Sequence, residues 1–283
     1  MQAIRERLRT EYLFLLPFLG FLLLFEIYPL INMAVRSFFD NTTNQFTWQN
    51  YYNVWSQPHF RAAIRNSLLF ATACSAVGAV GGTFVGYIAS RLSPRARSLL
   101  LSLYSLPLTL SGLVVAFAFI VLLGRNGVLN LLVRQIFGLP RNVYFNVYSW
   151  HGLVVVYSFY QIPLMTLTMA AVFLNLDRSL VEAARNLGAN TWQVWRYVII
   201  PVLAPGFLAG LNIQFAGMMG AFGTVLALVG GEKNLLSVQI YYHTSESTYN
   251  LPQAGALAVV LVILIALLLF VLNRLERMVR PGG

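Results

Sequence analysis

Cysteine occurs once among the 283 residues, as Cys74 inside an apolar run, so neither an intrachain disulfide nor a thiolate metal cage is possible. Lysine also occurs once. Lys233 lies in "GGEKN", which is not the G-x-x-x-x-G-K-[ST] pattern whose backbone cradles phosphates, so the chain has no phosphate-binding loop of its own. The histidines, His59, His151 and His243, are far apart in sequence and sit in no H-E-x-x-H or triad-like setting; each reads as an interfacial or loop residue. No catalytic residue and no metal ligand is expected. Charge is the largest shortage: 10% of residues are charged, against roughly 25% in an ordinary soluble domain, while 58% are hydrophobic. The composition is that of an integral membrane protein.

What is abundant is long apolar sequence. A bilayer core about 30 Å thick needs about 20 apolar residues at 1.5 Å each. Six stretches qualify, roughly 12–36, 64–90, 99–123, 149–174, 206–229 and 252–273. An all-α bundle of six transmembrane helices, occupying 12–273, is therefore expected. The first run follows Arg5, Arg7 and Arg9 as a signal peptide would, but it is too long for one and no small-residue cleavage site follows it, so it reads as a retained span.

With six spans the termini share a side, and arginine says which. Arg5, Arg7 and Arg9, then Arg91, Arg95 and Arg97, then Arg178, Arg185 and Arg196, then Arg274, Arg277 and Arg280 mark one set of segments. The opposite loops carry fewer cations: Arg36, Arg61, Arg65, Arg125, Arg134, Arg141 and Lys233. The first set, including 1–11 and 274–283, is expected in the cytoplasm. The formal charge of +10 thus reads as topology, not as a nucleic-acid surface.

Between the fourth and fifth runs stands "EAARNLGANTWQVWRYVIIP", a polar helical patch. Ser179 and Glu182 have capping-box spacing, Asp177 competes as a cap, and Gly188 stands where a left-handed residue would end a helix over about 179–187. Asn190 and Gln193 repeat the cap spacing, and Pro201 is expected to stop a second short helix. Val181, Ala184 and Leu187 recur at a spacing that lets them share one face. A loop resting on the bilayer would explain Trp192, Trp195 and Tyr197, but not the Glu-Ala-Ala and Gly.

Glu182, Ala183, Ala184, Gly188, then Val198, Ile200 and Pro201 resemble the E-A-A-x-x-x-G-x9-I-x-L-P signature of binding-protein-dependent ABC importer permeases, with Val and Ile in place of Ile and Leu. Further stretches are similar to that family: "FTWQNYYNVW" before "FRAAIRNSLLF", and "AFGTVLALVGG" before "LSVQIY", the latter as in permeases for polyamines, ferric iron, phosphonates or sulfate. The T-G-G-G-P stretch usual in sugar permeases of the same superfamily is absent.

The resemblance implies a type I ABC importer permease fold in a bacterial or archaeal plasma membrane. It implies that 177–201 forms coupling helices that dock on an ATPase, through Glu182, Ala183, Ala184, Gly188 and Pro201. It further implies a second homologous permease, a different chain by preference, two ATPase subunits holding ATP and Mg, and a solute-binding protein outside. This chain would bind no cofactor itself. The solute would be small and polar or charged: a polyamine, ferric iron, a phosphonate or similar. A sugar permease of the superfamily, and an ion-coupled secondary transporter, are the alternatives. The second would need intramembrane charges or inverted repeats, and neither is visible.

Residues that could line a solute path are Tyr160 and Gln161 in the fourth run, Asn212 and Gln214 in the fifth, and Met218, Met219 and Phe222 beyond them. Hydrogen bonds between helices explain the amides equally well. Gly78, Gly82 and Gly86, and Ala216, Gly220 and Thr224, form small-residue rows suited to close helix packing. In the external segments "GVLNLLVRQIFGLP" has the spacing of a short amphipathic helix, stopped by Gly138 and Pro140.

Overall fold

The computed structural model describes residues 15–140, 142–245 and 249–279. Arg5, Arg7, Arg9, Arg141, Arg280 and the start of the first apolar run lie outside the described residues. Within them the chain is helical, with one isolated bridge, Phe39 to Phe46. In order the helices are α1 (Leu15–Arg36), α2 (Gln49–Ser56), α3 (Pro58–Arg91), α4 (Pro94–Thr109), α5 (Gly112–Leu123), α6 (Val128–Phe137) and α7 (Trp150–Leu174). They continue with α8 (Arg178–Asn186), α9 (Thr191–Met219), α10 (Gly223–Val229), α11 (Leu236–Thr244) and α12 (Leu251–Val279). Six helical stretches among the described residues are long and apolar enough to cross a membrane.

Two compact units divide the chain. The smaller comprises residues 1–61 and 239–260. Its order comes from a polar turn: the Asp40 carboxylate accepts from the backbone N–H groups of Thr42 and Thr43 at 2.9 and 2.8 Å and from both threonine hydroxyls. Those bonds favour the charged form and hold the Asp40 pKa well below the usual carboxylate range. Asn50, buried, donates to Ser37 O and Phe39 O, while Gln253 donates to Asn50 O and accepts from Asn53. The start of α12 is thereby tied to α2.

The larger unit comprises 62–238 and 261–283. Here α3 and α7 meet along the glycine row. A Cβ at Gly78 would strike Gln161, one at Gly82 would strike Met165 and the Ile162 carbonyl, and one at Gly86 would press on Met169 and Ala170. The row is a packing seam, as small residues are in lipid, where close backbone approach supplies the dispersion contacts. The second row does not behave alike: α9 ends at Gly220, where an added Cβ would meet only its own preceding turn.

Two apolar runs are broken. The run read as one span over 99–123 is α4 and α5, separated by extended backbone at Leu110 and Ser111, with the Ser111 hydroxyl capping Val114 N–H. At 12 residues α5 is about 18 Å long, too short to cross a bilayer by itself, and a turn at Gly124–Gly127 joins it to α6; the membrane-length stretch here is Gly112–Phe137, the two together. Asn130 fixes that turn by donating to Leu123 O, Gly124 O and Phe145 O. The run over 206–229 is likewise broken, at Gly220–Phe222, between α9 and α10. The breaks are neighbours: α10 packs on α5, and Thr224 donates to Gly112 O at 3.2 Å.

Pro201 does not stop a helix. The helix starting at Thr191 runs through it to Met219, because residues Trp195–Ile199 form a π-turn in which Ile200 N–H reaches back to Trp195 O. A widened turn relieves the clash between a proline ring and the carbonyl four residues earlier, and Pro201 has no N–H to leave unpaired. The same device precedes Pro29: Leu23–Ile27, containing Glu26, is a π-turn and Tyr28 N–H bonds Leu23 O.

Candidate functional site

The polar patch forms a helix, a turn and a second helix start, and each boundary has an identifiable cause. Asp177, not the Ser179–Glu182 pair, caps α8: its carboxylate accepts from Ser179 N–H at 2.9 Å, which holds its pKa below the ordinary carboxylate value. At the other end Gly188 has φ +83°, Ala189 N–H bonds Ala184 O at 3.1 Å, and Gly188 N–H bonds Arg185 O at 2.9 Å. That pair of bonds is a Schellman cap, which satisfies orphan carbonyls at the cost of a left-handed residue. Asn190 and Gln193 form the reciprocal capping box, at 2.8 and 2.9 Å.

The patch rests on the spans through its small apolar side. Val181, Ala184, Ala189 and Trp195 pack against buried Met165, Met169, Val194, Ile199 and Leu203. Leu187 does not join them. It is 89% exposed, because the cap has already turned the chain at that residue. Glu182, Ala183, Leu187 and Gly188 are thus exposed together, on an element fixed at both ends. Glu182 makes no hydrogen bond or ion pair among the described residues. Pro201 lies on α9 beyond the patch and is half-buried. Chemically, the patch offers a partner a free carboxylate, a shallow alanine step and an exposed leucine.

The residues read as a solute path divide into two sets. Gln161 and Gln214 are buried and tie α7 to α9: Gln161 donates to Gln214 O at 3.3 Å and Gln214 donates to Gln161 O at 2.5 Å. Met218 and Met219 are also buried. Asn212, half-buried, donates to Asn273 at 2.9 Å, and its own oxygen is buried without a partner among the described residues. The Tyr160 hydroxyl is likewise buried, beside Thr224, and Phe222 sits in the break between α9 and α10.

The outward face of α9 is Ile213, Gly217 and Gly220, all exposed, with nothing among the described residues within 4 Å of a Cβ placed at Gly217. The polar, sulfur and aromatic side chains expected here from the sequence are neighbours of these residues along the chain. Helical phase from buried Gly210 and Gln214 would have found the outward residues. Among the described residues no cluster of His, Cys, Asp and Glu could hold a metal, and Cys74 is buried.

Comparison with known proteins agrees with this architecture. The family model described as binding-protein-dependent transport system inner membrane component matches residues 78–282. The chain is 30% identical over 239 residues to the sulfate transport system permease protein CysT of Salmonella typhimurium, covering 82% of each. It is 29% identical over 266 residues to the spermidine/putrescine transport system permease protein PotB of Haemophilus influenzae, covering 92% of this chain and 91% of that one. Among solved structures, a bacterial alginate ABC transporter in complex with an alginate pentasaccharide-bound periplasmic protein superposes with a TM-score of 0.77, at 19% identity, over 100% of this chain and 99% of that chain. With a capped, outward-facing EAA element, six membrane-length helices and a family match over most of its length, the chain belongs to the binding-protein-dependent transport system inner membrane components, the permease subunits of ABC importers.

Proposed function

We propose that this chain forms half of a solute pathway and that its 177–201 segment converts closure of partner ATPase subunits into movement of the spans. The observation that carries the reading is the rigidity of the patch. It is capped at both ends and wedged on α7 and α9 through Val181, Ala184, Ala189 and Trp195, so a displacement of its exposed face must move those helices. ATP and Mg belong to the ATPase partners, two in number. A second, homologous permease completes the path, a different chain rather than a second copy. Both termini and α8 lie in the cytoplasm of a bacterial or archaeal cell, and a solute-binding protein delivers the cargo outside.

The path itself is proposed to run beside the paired breaks at 110–111 and 220–222. Non-helical backbone at membrane depth is tolerated only where protein buries it or a cavity receives it, and broken helices are the usual builders of midplane sites. The solute is small and polar or charged, the class shared by the sulfate and spermidine/putrescine relatives.

The test uses the assembled transporter in vesicles. Glu182→Lys reverses the exposed charge, and Gly188→Val places a β-branched residue at a positive φ that it rarely adopts. Each variant is expected to insert normally yet to lose ATPase subunits on purification, or to hydrolyse ATP without uptake. Full attachment with full ATP-driven uptake in both would refute the reading.

A further inference from the structure

A cavity of about 320 Å³ lies behind the patch, between the end of α3, the end of α7, and helices α8 and α9. Arg91, Arg178, Arg185, Tyr87, Trp195 and Glu182 give it its chemistry. Three guanidiniums, charged at any accessible pH, share the lining with one carboxylate, Glu182, which is also exposed. No ion pair engages the three among the described residues. Arg178 and Arg185 are two turns apart on α8, a separation that puts both on one side of the helix.

The third cation is held in place by aromatic packing. The Arg91 guanidinium lies over the Tyr87 ring, 5.0 Å from its centroid, and Tyr87 is itself clasped edge-on by Phe173 and Trp195 at 5.4 and 5.6 Å. A guanidinium fixed this way loses little freedom on binding an anion. Depth matters equally. Arg91 is the last residue of α3 and Leu174 the last of α7, two of the membrane-length helices, so the cavity opens where apolar sequence gives way to charge. Lipid headgroups lie at that level, and basic clusters beside span ends recruit anionic ones.

We propose that this cavity binds a phosphate group, presented by an anionic phospholipid headgroup or free in solution. Guanidiniums recognise phosphate oxygens through paired, charge-assisted hydrogen bonds, which suits three forks around one tetrahedral anion. A ligand there would bridge α3 to α8 and set the angle at which the patch stands on the spans. The site goes beyond the proposed ATPase coupling, and its test reads binding alone, so failure of one leaves the other standing.

The purified, delipidated complex in detergent is titrated with phosphatidylglycerol, with phosphatidylcholine, and with inorganic phosphate, and retained ligand is counted by native mass spectrometry. Phosphatidylglycerol is expected to bind the wild type about tenfold or more tightly than the Arg91→Gln/Arg178→Gln variant, the effect of removing charge-assisted bonds. Arg91→Lys should retain part of the affinity. Arg95→Gln, a charge loss outside the cavity, should retain all of it. Competition by inorganic phosphate at millimolar concentration would assign the site to the free anion; indifference to it would assign the site to the lipid. Equal retention of both ligands by the wild type and the double variant, or an equal loss in Arg95→Gln, would overturn the proposal.

Discussion

Asp177 shows how one side chain sets the geometry of the polar patch between α7 and α9. Its carboxylate meets Ser179 N–H at the start of α8, where negative charge also complements the helix dipole. The folded pKa is depressed, first by the backbone bond from Ser179 and then by that residue's side chain. The cap is therefore at full strength above the ordinary carboxylate pKa of about 3.9 and is lost as pH falls through the lower, folded value. Asp177→Asn should preserve the cap and abolish its pH dependence, whereas Asp177→Ala should fray the first turn at every pH. Hydrogen exchange at the Ser179 to Val181 amides reads both; unchanged protection in the alanine variant would show that the first turn is held by packing alone. The sequence offered two caps here, Ser179–Glu182 and Asp177, at compatible spacings. Spacing could not choose between them, since the choice depends on where the chain leaves α7. Gly188 was legible for the opposite reason, because a positive φ is nearly a glycine property.

At the scale of helices, apolar length was legible and continuity was not. Hydropathy sums over Leu110 and Phe222 without registering that the backbone is extended at one and irregular at the other. It also cannot see that Pro29 and Pro201 are absorbed by π-turns, since that relief lies in the hydrogen-bond register. The glycine row on α3 was readable as a seam, but its partner, α7, was not. Gly82→Leu would force α3 from Met165 and should destabilise the complex by about 1–3 kcal/mol or more, whereas Gly20→Leu, with nothing among the described residues within 4 Å, should leave thermal stability unchanged. Equal melting of both variants would deny the seam its role. On α9 the phase of the helix separates two outcomes. Gly217→Trp, on the outward face, should block uptake with assembly intact, while Met219→Trp, on the buried face, should impair assembly itself. Normal uptake by an assembled Gly217→Trp transporter would assign that face to lipid and move the path elsewhere.

For the whole molecule, arginine placement carries the orientation, because cations near span ends are retained on the cytoplasmic side. The prediction is that Asn190 and Asn142 lie across the membrane from one another. Both are exposed, and the native thiol is a favourable background: Cys74 is fully buried within α3, so an added cysteine would be the accessible one. A membrane-impermeant maleimide applied to intact cells should label Asn142→Cys and spare Asn190→Cys, and inside-out vesicles should reverse the pattern. The same orientation is required if α8 meets ATPase subunits, because ATP is a cytoplasmic substrate and the patch has no other route to it. Labelling of Asn190→Cys from outside would therefore do more than invert the topology. It would remove the coupling role from Glu182, Ala183, Ala184 and Gly188, and it would set the arginine count against the family to which the chain belongs.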